Sequence, residues 1–251
     1  MSEHVLISQA DGLCEIRFNR PDKRNAITAA MYAALIEALS RADADDTVRV
    51  VLISGEGPSF TAGNDLVDFL RTPDLAGDTE PVRFLRTLAG FRKVLIAAVH
   101  GQTVGIGVTL LLHCELVVAA RTTQLSMPFV RLGLVPEAAS SLLLPRLVGY
   151  PRAAQLLLLG QSVDAMTALT WGLINQVTDD ETLMEEARGL ARRVAELPAG
   201  ALLATKRLLR SETTTVSERI EEEVQAFRAR LSSAEFRSAA EAFLAKGRKN
   251  S

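Results

Sequence analysis

The feature that most constrains this chain is a run of 21 residues, 94–114 (VLIAAVHGQTVGIGVTLLLHC), without a single Asp, Glu, Lys or Arg. A run of that kind must be buried. By length it matches a membrane span, which needs about 20 mainly apolar residues. Its interior argues otherwise: Gly101, Gly105 and Gly107 interrupt it, and His100, Gln102, Thr103, Thr109 and His113 are polar. The run is therefore expected to be buried in pieces: a strand over 94–99, a glycine-rich loop over 101–107 and a short helix over 108–113. No membrane partner is expected.

The rest of the chain can supply the core that such a run needs. Of 251 residues, 48% are hydrophobic and 23% charged, which excludes a mainly disordered chain. Lys and Arg number 28 against 30 Asp and Glu, for a net charge of −2. That balance argues against a nucleic-acid partner held by a basic surface. Two cysteines, Cys14 and Cys114, imply no disulfide framework, and the first residues show no signal-peptide pattern. A cytoplasmic location is expected.

Strands are expected at 5–8, 13–19, 49–54, 94–99 and 116–120. In 13–19, Cys14, Ile16 and Phe18 alternate with Glu15 and Arg17, the pattern of a half-buried strand. Helices are expected at 28–41 behind a Thr28 cap, at 64–71, 83–92 and 138–147, and almost continuously from residue 153 (153–160, 163–172, 181–196, 198–210 and 215–246). Strands that alternate with helices predict an α/β core. The composition shift near Pro198 divides the chain into 1–196 and a helical 197–251.

Several chemistries lack their residues. There is no G-x-x-x-x-G-K-[ST] loop, and Gly101, Gly105 and Gly107 do not have dinucleotide spacing. His113-Cys114-Glu115 is contiguous rather than at metal-ligand spacing, so no metal is expected. Ser140 and Ser141 do not sit in a G-x-S-x-G elbow. What stands out is a pair of glycine-containing segments, each after a buried strand: SFTAGNDL (59–66) and HGQTVGIGVT (100–109). Glycine lets backbone approach a ligand closely, and a helix starting just beyond offers free N–H groups. Two such groups aimed at one point would make an oxyanion hole. Two tight turns that serve packing alone would give the same pattern.

NRPDKRNA (19–26), FTAGNDL (60–66), AVHGQTVGIG (98–107) and WGLINQV (171–177), in this order along essentially the full chain, resemble the enoyl-CoA hydratase/isomerase (crotonase) superfamily. The resemblance implies a crotonase-like spiral of β-β-α units with a C-terminal helical region that builds trimers or dimers of trimers. It implies an acyl-CoA thioester as substrate, with CoA part of that substrate and no separate cofactor. It implies that two backbone N–H groups, of Asn64 and Ile106, hold the enolate; the family often has Gly at the second position.

The carboxylates bear on which reaction. By resemblance, the two glutamates of family hydratases fall at Thr109 and Phe129, and neither replaces a carboxylate in acid–base work. Between Gly90 and Tyr150 the only acids are Glu115 and Glu137. Glu137 resembles the single catalytic glutamate of the peroxisomal-type Δ3,Δ2-enoyl-CoA isomerases. Its competing role is a helix first-turn acid after Pro136. Glu115 matches a structural acid. The resemblance also puts Lys23, Arg24, Ala62 and Asp65 near the CoA, and Phe243 and Lys246 at CoA from a neighbouring subunit. Lys23 and Arg24 equally suit a solvated loop, Asp65 a helix cap, and Phe243 and Lys246 an amphipathic helix. Leu66, Phe69 and Leu70 line either the acyl pocket or the core. The expected activity is a shift of a double bond, 3-enoyl-CoA to trans-2-enoyl-CoA, with Glu137 moving the proton. A ring-derived acyl-CoA isomerase, a hydratase and a non-catalytic thioester-binding oligomer stay open.

Overall fold

The computed structural model describes residues 3–71, 79–211, 216–231, 233, 234, 236 and 238. The chain divides into two compact units, Met1–Arg192 and Arg193–Ser251.

The first unit holds strands β1 (Val5–Ala10), β2 (Leu13–Phe18), β3 (Val50–Gly55), β4 (Ser59–Thr61), β5 (Val94–Val99), β6 (Gln102–Val104), β7 (Leu116–Ala120), β8 (Gln124–Ser126), β9 (Val163–Asp164) and β10 (Gln176–Thr178). They form a six-stranded sheet, β1-β2-β3-β5-β7-β10, and a four-stranded sheet, β4-β6-β8-β9. Three times the chain leaves the larger sheet for the smaller one after a short turn: β3 to β4, β5 to β6, β7 to β8. Pairing is parallel except β1 with β2 and β8 with β9. This is the crotonase-like spiral of the sequence reading.

The central strands β3, β5 and β7 are buried along nearly their whole length. Parallel strands covered on both faces need continuous apolar runs, and RVVLIS, VLIAAV and LVVAA supply them. In β2, Cys14, Ile16 and Phe18 are buried, while Glu15 takes a bidentate ion pair from Arg188 at 2.8 and 2.9 Å. Helix α1 (Ala29–Ala44) starts at Thr28, whose hydroxyl accepts the Met31 N–H at 3.3 Å. It buries Met31, Tyr32, Leu35 and Leu39.

The charge-free run resolves as β5, β6, a short helix and a 3-10 turn at Leu110–His113. Among the described residues no helix is long and apolar enough to cross a membrane.

The helices that follow are α2 (Leu66–Arg71), α3 (Glu80–Gly90), α4 (Ile106–Thr109), α5 (Ser140–Val148), α6 (Tyr150–Leu159), α7 (Ala165–Thr170) and α8 (Leu183–Ala195). Helices α3 and α6 each begin three residues earlier than expected, and three further differences have local reasons. Helix α2 begins at Leu66 because the Asp65 carboxylate accepts the Val67 and Asp68 N–H groups at 3.0 and 3.2 Å, a capping geometry. Helix α5 begins at Ser140 because Ala138 and Ala139 are left-handed, with φ of 52° and 54°. The expected helix 163–172 opens instead as strand β9, after which Asp164 caps α7 by accepting the Thr167 N–H at 2.7 Å. The second unit contributes α9 (Ala199–Arg210) and α10 (Val216–Leu231), joined where Arg219 donates to the Ser211 carbonyl at 2.7 Å.

Candidate active site

The two glycine segments meet because their strands pair. Strands β4 and β6 lie parallel, with Thr61 opposite Thr103. Asn64 and Ile106 each stand three residues beyond that pair, so the register alone brings them to one place. Two glycines allow the approach. Gly63 has φ of +88°, and a Cβ there would lie 2.9 Å from the Val104 carbonyl oxygen. A Cβ on Gly107 would lie 2.5 Å from the Thr61 methyl. Neither segment could carry a side chain at these points without moving the other.

The directions of the two peptide groups follow from their partners. Ile27 donates to the Gly63 carbonyl at 2.8 Å and accepts the Asp65 N–H at 2.9 Å, a parallel bridge centred on Asn64. In such a bridge the central residue's own N–H points to the opposite side. Among the described residues the Asn64 N–H has no acceptor. Ile106 is the first residue of α4, where a helix has no internal acceptor for its N–H, and none is supplied by the other described residues.

Both residues line a cleft of about 800 Å³. Of the sequence candidates, Lys23, Ala62, Asn64, Asp65, Leu66 and Ile106 all border it. Phe129 also lines it. Arg24 does not border the cleft; it is left-handed, and its carbonyl accepts the Ala62 N–H at 2.8 Å. Asp65 pairs with Arg20 at 2.6 Å, which holds its carboxyl below the ordinary range. Phe243, Lys246 and the side chains of Phe69 and Leu70 lie outside the described residues.

Glu137 does not border the cleft. It approaches from the α4 side, where the Thr109 hydroxyl donates to its Oε1. The same hydroxyl lies 3.5 Å from the Ile106 carbonyl oxygen, so the carboxyl sits one side chain away from the peptide at the cleft wall. Burial pushes the Glu137 pKa up to about 7, and the Thr109 hydrogen bond opposes the rise. Glu137 is not in the first turn of α5, which begins at Ser140; its carbonyl accepts the Ser140 N–H at 2.9 Å and hydroxyl at 2.6 Å. Glu115 accepts the Leu95 N–H at 2.8 Å, anchoring the start of β5.

Two supporting residues, Arg20 and Tyr32, were not singled out from the sequence, while His113 and Thr109 were considered there for other roles. Arg20 stood inside a quoted motif, but its partner Asp65 is 45 residues on. Tyr32 carried no signal of its own in the sequence; it is buried in α1, and its hydroxyl donates to Asn64 Oδ1 at 2.5 Å. His113 lies 2.9 Å from the Ala138 carbonyl through Nε2, beside the acid. Thr109, read as a lost carboxylate, is the donor that holds the remaining one.

Two backbone donors at one cleft, with a near-neutral carboxyl behind, are equipped to stabilise an oxyanion and to move a proton. The sequence model of the enoyl-CoA hydratase/isomerase family matches residues 8–250. The chain belongs to that family. It is 39% identical to the 1,2-epoxyphenylacetyl-CoA isomerase of Escherichia coli K12, over 98% of this chain and 97% of that one. It is 36% identical to enoyl-CoA delta isomerase 2 of Rattus norvegicus, over 91% of this chain and 60% of that longer one. A solved structure from Magnetospirillum magneticum AMB-1, described as an enoyl-CoA hydratase/carnithine racemase, superposes with a TM-score of 0.95 at 45% identity, over 98% of this chain and 97% of that one. This member of the enoyl-CoA hydratase/isomerase family is thus an enzyme of acyl-CoA thioesters with the crotonase fold.

Proposed function

We propose that the protein is an acyl-CoA isomerase that moves a double bond from the 3 to the trans-2 position with a single acid, Glu137. The ionised carboxyl takes a proton from C2 of a 3-enoyl thioester. The electron pair passes through the carbonyl, and the negative charge rests on the thioester oxygen at the N–H groups of Asn64 and Ile106. Glu137, now protonated, returns the proton at C4. The double bond is then conjugated with the thioester.

The observation that carries this reading is the state of Glu137. A carboxyl with a pKa of about 7 is divided between its two forms near neutral pH, which suits a group that must first accept and then give up a proton. A hydratase of the two-glutamate kind needs a second acid, and Thr109 and Phe129 stand where the resemblance puts those acids. On the same reading Lys23, Ala62, Asp65 and Leu66 contact the CoA thioester in the cleft, with Arg24 beside them. Phe243 and Lys246 reach a neighbouring copy's CoA, in a trimer or pair of trimers built by the helical region 197–251.

A ring-derived acyl-CoA is the second reading. It is favoured by the likeness, across nearly the whole of both chains, to a protein named for 1,2-epoxyphenylacetyl-CoA. The test is the purified protein with 3-hexenoyl-CoA, followed by absorbance of the conjugated product. Activity is expected, with a fall of at least about a hundredfold in Glu137→Gln, in the range for a general acid–base group. Unchanged activity in that variant overturns the role of Glu137. A ring-derived thioester turned over faster than 3-hexenoyl-CoA selects the second reading, and efficient hydration of crotonyl-CoA rejects both.

A further inference from the structure

We infer that Tyr32 is a positioning residue of this site: its buried phenol holds the Asn64 side chain and so fixes the peptide whose N–H faces the cleft. The inference rests on the proposed role of the Asn64 N–H in binding the thioester oxygen.

The backbone around Asn64 is held by Ile27 on both flanks and by the Gly63 N–H, which donates to Thr61 Oγ1 at 3.1 Å. The Gly63 carbonyl and the Asp65 N–H are both engaged by Ile27, and nothing in that bridge touches the Asn64 side chain. Rotation of the 63–64 peptide would swing the Asn64 N–H away from the cleft, and the Ile27 bond to the Gly63 carbonyl opposes it from the backbone side. The side chain offers a second, independent handle, and the Tyr32 hydroxyl grips it at 2.5 Å. A preorganised donor does more for a developing charge than one that must be oriented during the reaction.

Tyr32 is suited to the task by its surroundings. It stands in the first turn of α1, whose start is tied to the same loop: the Ala29 N–H donates to Asp68 Oδ2 at 2.7 Å, and Asp68 is in α2. Its ring leans on Phe84 with centroids 5.2 Å apart. Only 3% of the residue is exposed. Burial, and then the nearby Glu137 charge, keep the phenol protonated far above its ordinary range. The hydroxyl therefore remains a donor to Asn64 at every pH where the enzyme works. Tyr32 thereby links Asn64 to the surroundings of Glu137 from a helix that contains neither.

The test uses Tyr32→Phe in the full-length protein. With 3-hexenoyl-CoA, kcat is expected to fall about tenfold, less than the loss of a whole oxyanion donor, with KM within about twofold of the parent. A second readout does not depend on Glu137. Cinnamoyl-CoA has no C4 proton to lose, and polarisation of its carbonyl by N–H donors shifts its absorption band to the red. The parent should show that shift on binding, and Tyr32→Phe should lose part of it. Asn64→Ala removes the acceptor but keeps the N–H, so it should give the same losses, and the double variant should lose no more than Asn64→Ala alone. Asn64→Ala carries the test alone should Tyr32→Phe fail to fold. Parent kcat and parent shift in Tyr32→Phe, or additive losses in the double variant, overturn the inference. Bound cinnamoyl-CoA without any shift in the parent overturns the donor assignment itself, and the role of Tyr32 with it. Loss of activity in Glu137→Gln with the shift intact leaves both standing.

Discussion

At the scale of single residues, two opposed forces act on one carboxyl. Burial raises the Glu137 pKa to about 7, and the hydroxyl of Thr109 pulls it down by favouring the charged form. Catalysis by the ionised form then predicts that kcat/KM rises with pH and levels off above about 7. Thr109→Val removes the opposing hydrogen bond while keeping the shape of the side chain. A hydrogen bond to a charged group is worth about 1.5 kcal/mol, which corresponds to roughly one pH unit. The acid limb of the kcat/KM profile should therefore move up by about one unit in Thr109→Val, with the plateau kept. A limb that stays in place shows that Thr109 does not hold the reacting carboxyl. Glu137 stood out in the sequence through its resemblance to a family glutamate in a stretch where acids are sparse. Its pKa was not legible there, because burial is a property of the folded surroundings. Tyr32 was not legible either: it carried no signal of its own, and the acceptor of its hydroxyl lies 32 residues away.

At the scale of elements, the legible parts were those whose own residues decide them. Strands β3, β5 and β7 are continuous apolar runs, and Thr28 marks the start of α1. The short strands β4, β6 and β8 have three residues each, too few for any periodicity to register. Their partners make them strands, and only the pairing of β4 with β6 aligns Asn64 with Ile106. The turn between Glu137 and α5 escaped for another reason. Ala138 and Ala139 favour helix by propensity, yet both are left-handed here. The Ala138 carbonyl lies 2.9 Å from His113 Nε2, and the Ser140 hydroxyl donates to the Glu137 carbonyl at 2.6 Å. These contacts hold a strained turn next to the acid, at a cost on the order of 1 kcal/mol for each left-handed alanine. Ala139 is exposed, so replacing it loses no packing. Ala139→Gly should raise the unfolding free energy by about 0.5–1 kcal/mol, and it should lower kcat by loosening the aim of Glu137. Urea unfolding and initial rates with 3-hexenoyl-CoA check the two halves. A variant that is less stable than the parent shows that the turn stores no strain.

At the scale of the whole molecule, the charge-free run links fold to reaction. It supplies β5 to the larger sheet, β6 to the smaller one, and the helix that presents both Ile106 and Thr109. The carboxyl held by Thr109 is consequently buried, and burying an acid costs stability. The cost has a definite pH dependence. Glu137 has a folded pKa of about 7 against an ordinary value of 4.5. Below 4.5 the acid is protonated in both states and contributes no difference. Between those values the unfolded chain has released the proton that the folded protein retains, so stability falls as pH rises. Above about 7 both states are ionised and the penalty is constant, on the order of 3 kcal/mol. Glutamine is neutral, has the same shape and can still accept from Thr109. Glu137→Gln should therefore match the parent near pH 4.5, gain on it through the interval, and exceed it by that full margin above about 7. Acids with lowered pKa values, such as Glu15, Asp45 and Asp65, are common to both proteins and cancel in the comparison. Urea unfolding of the two proteins from pH 5 to pH 8 measures the difference, and a margin that does not grow with pH shows that the acid is not desolvated. A Glu137→Gln protein that is more stable than its parent only where the acid is charged is the pattern expected of a fold that buries a carboxyl at a cost in stability.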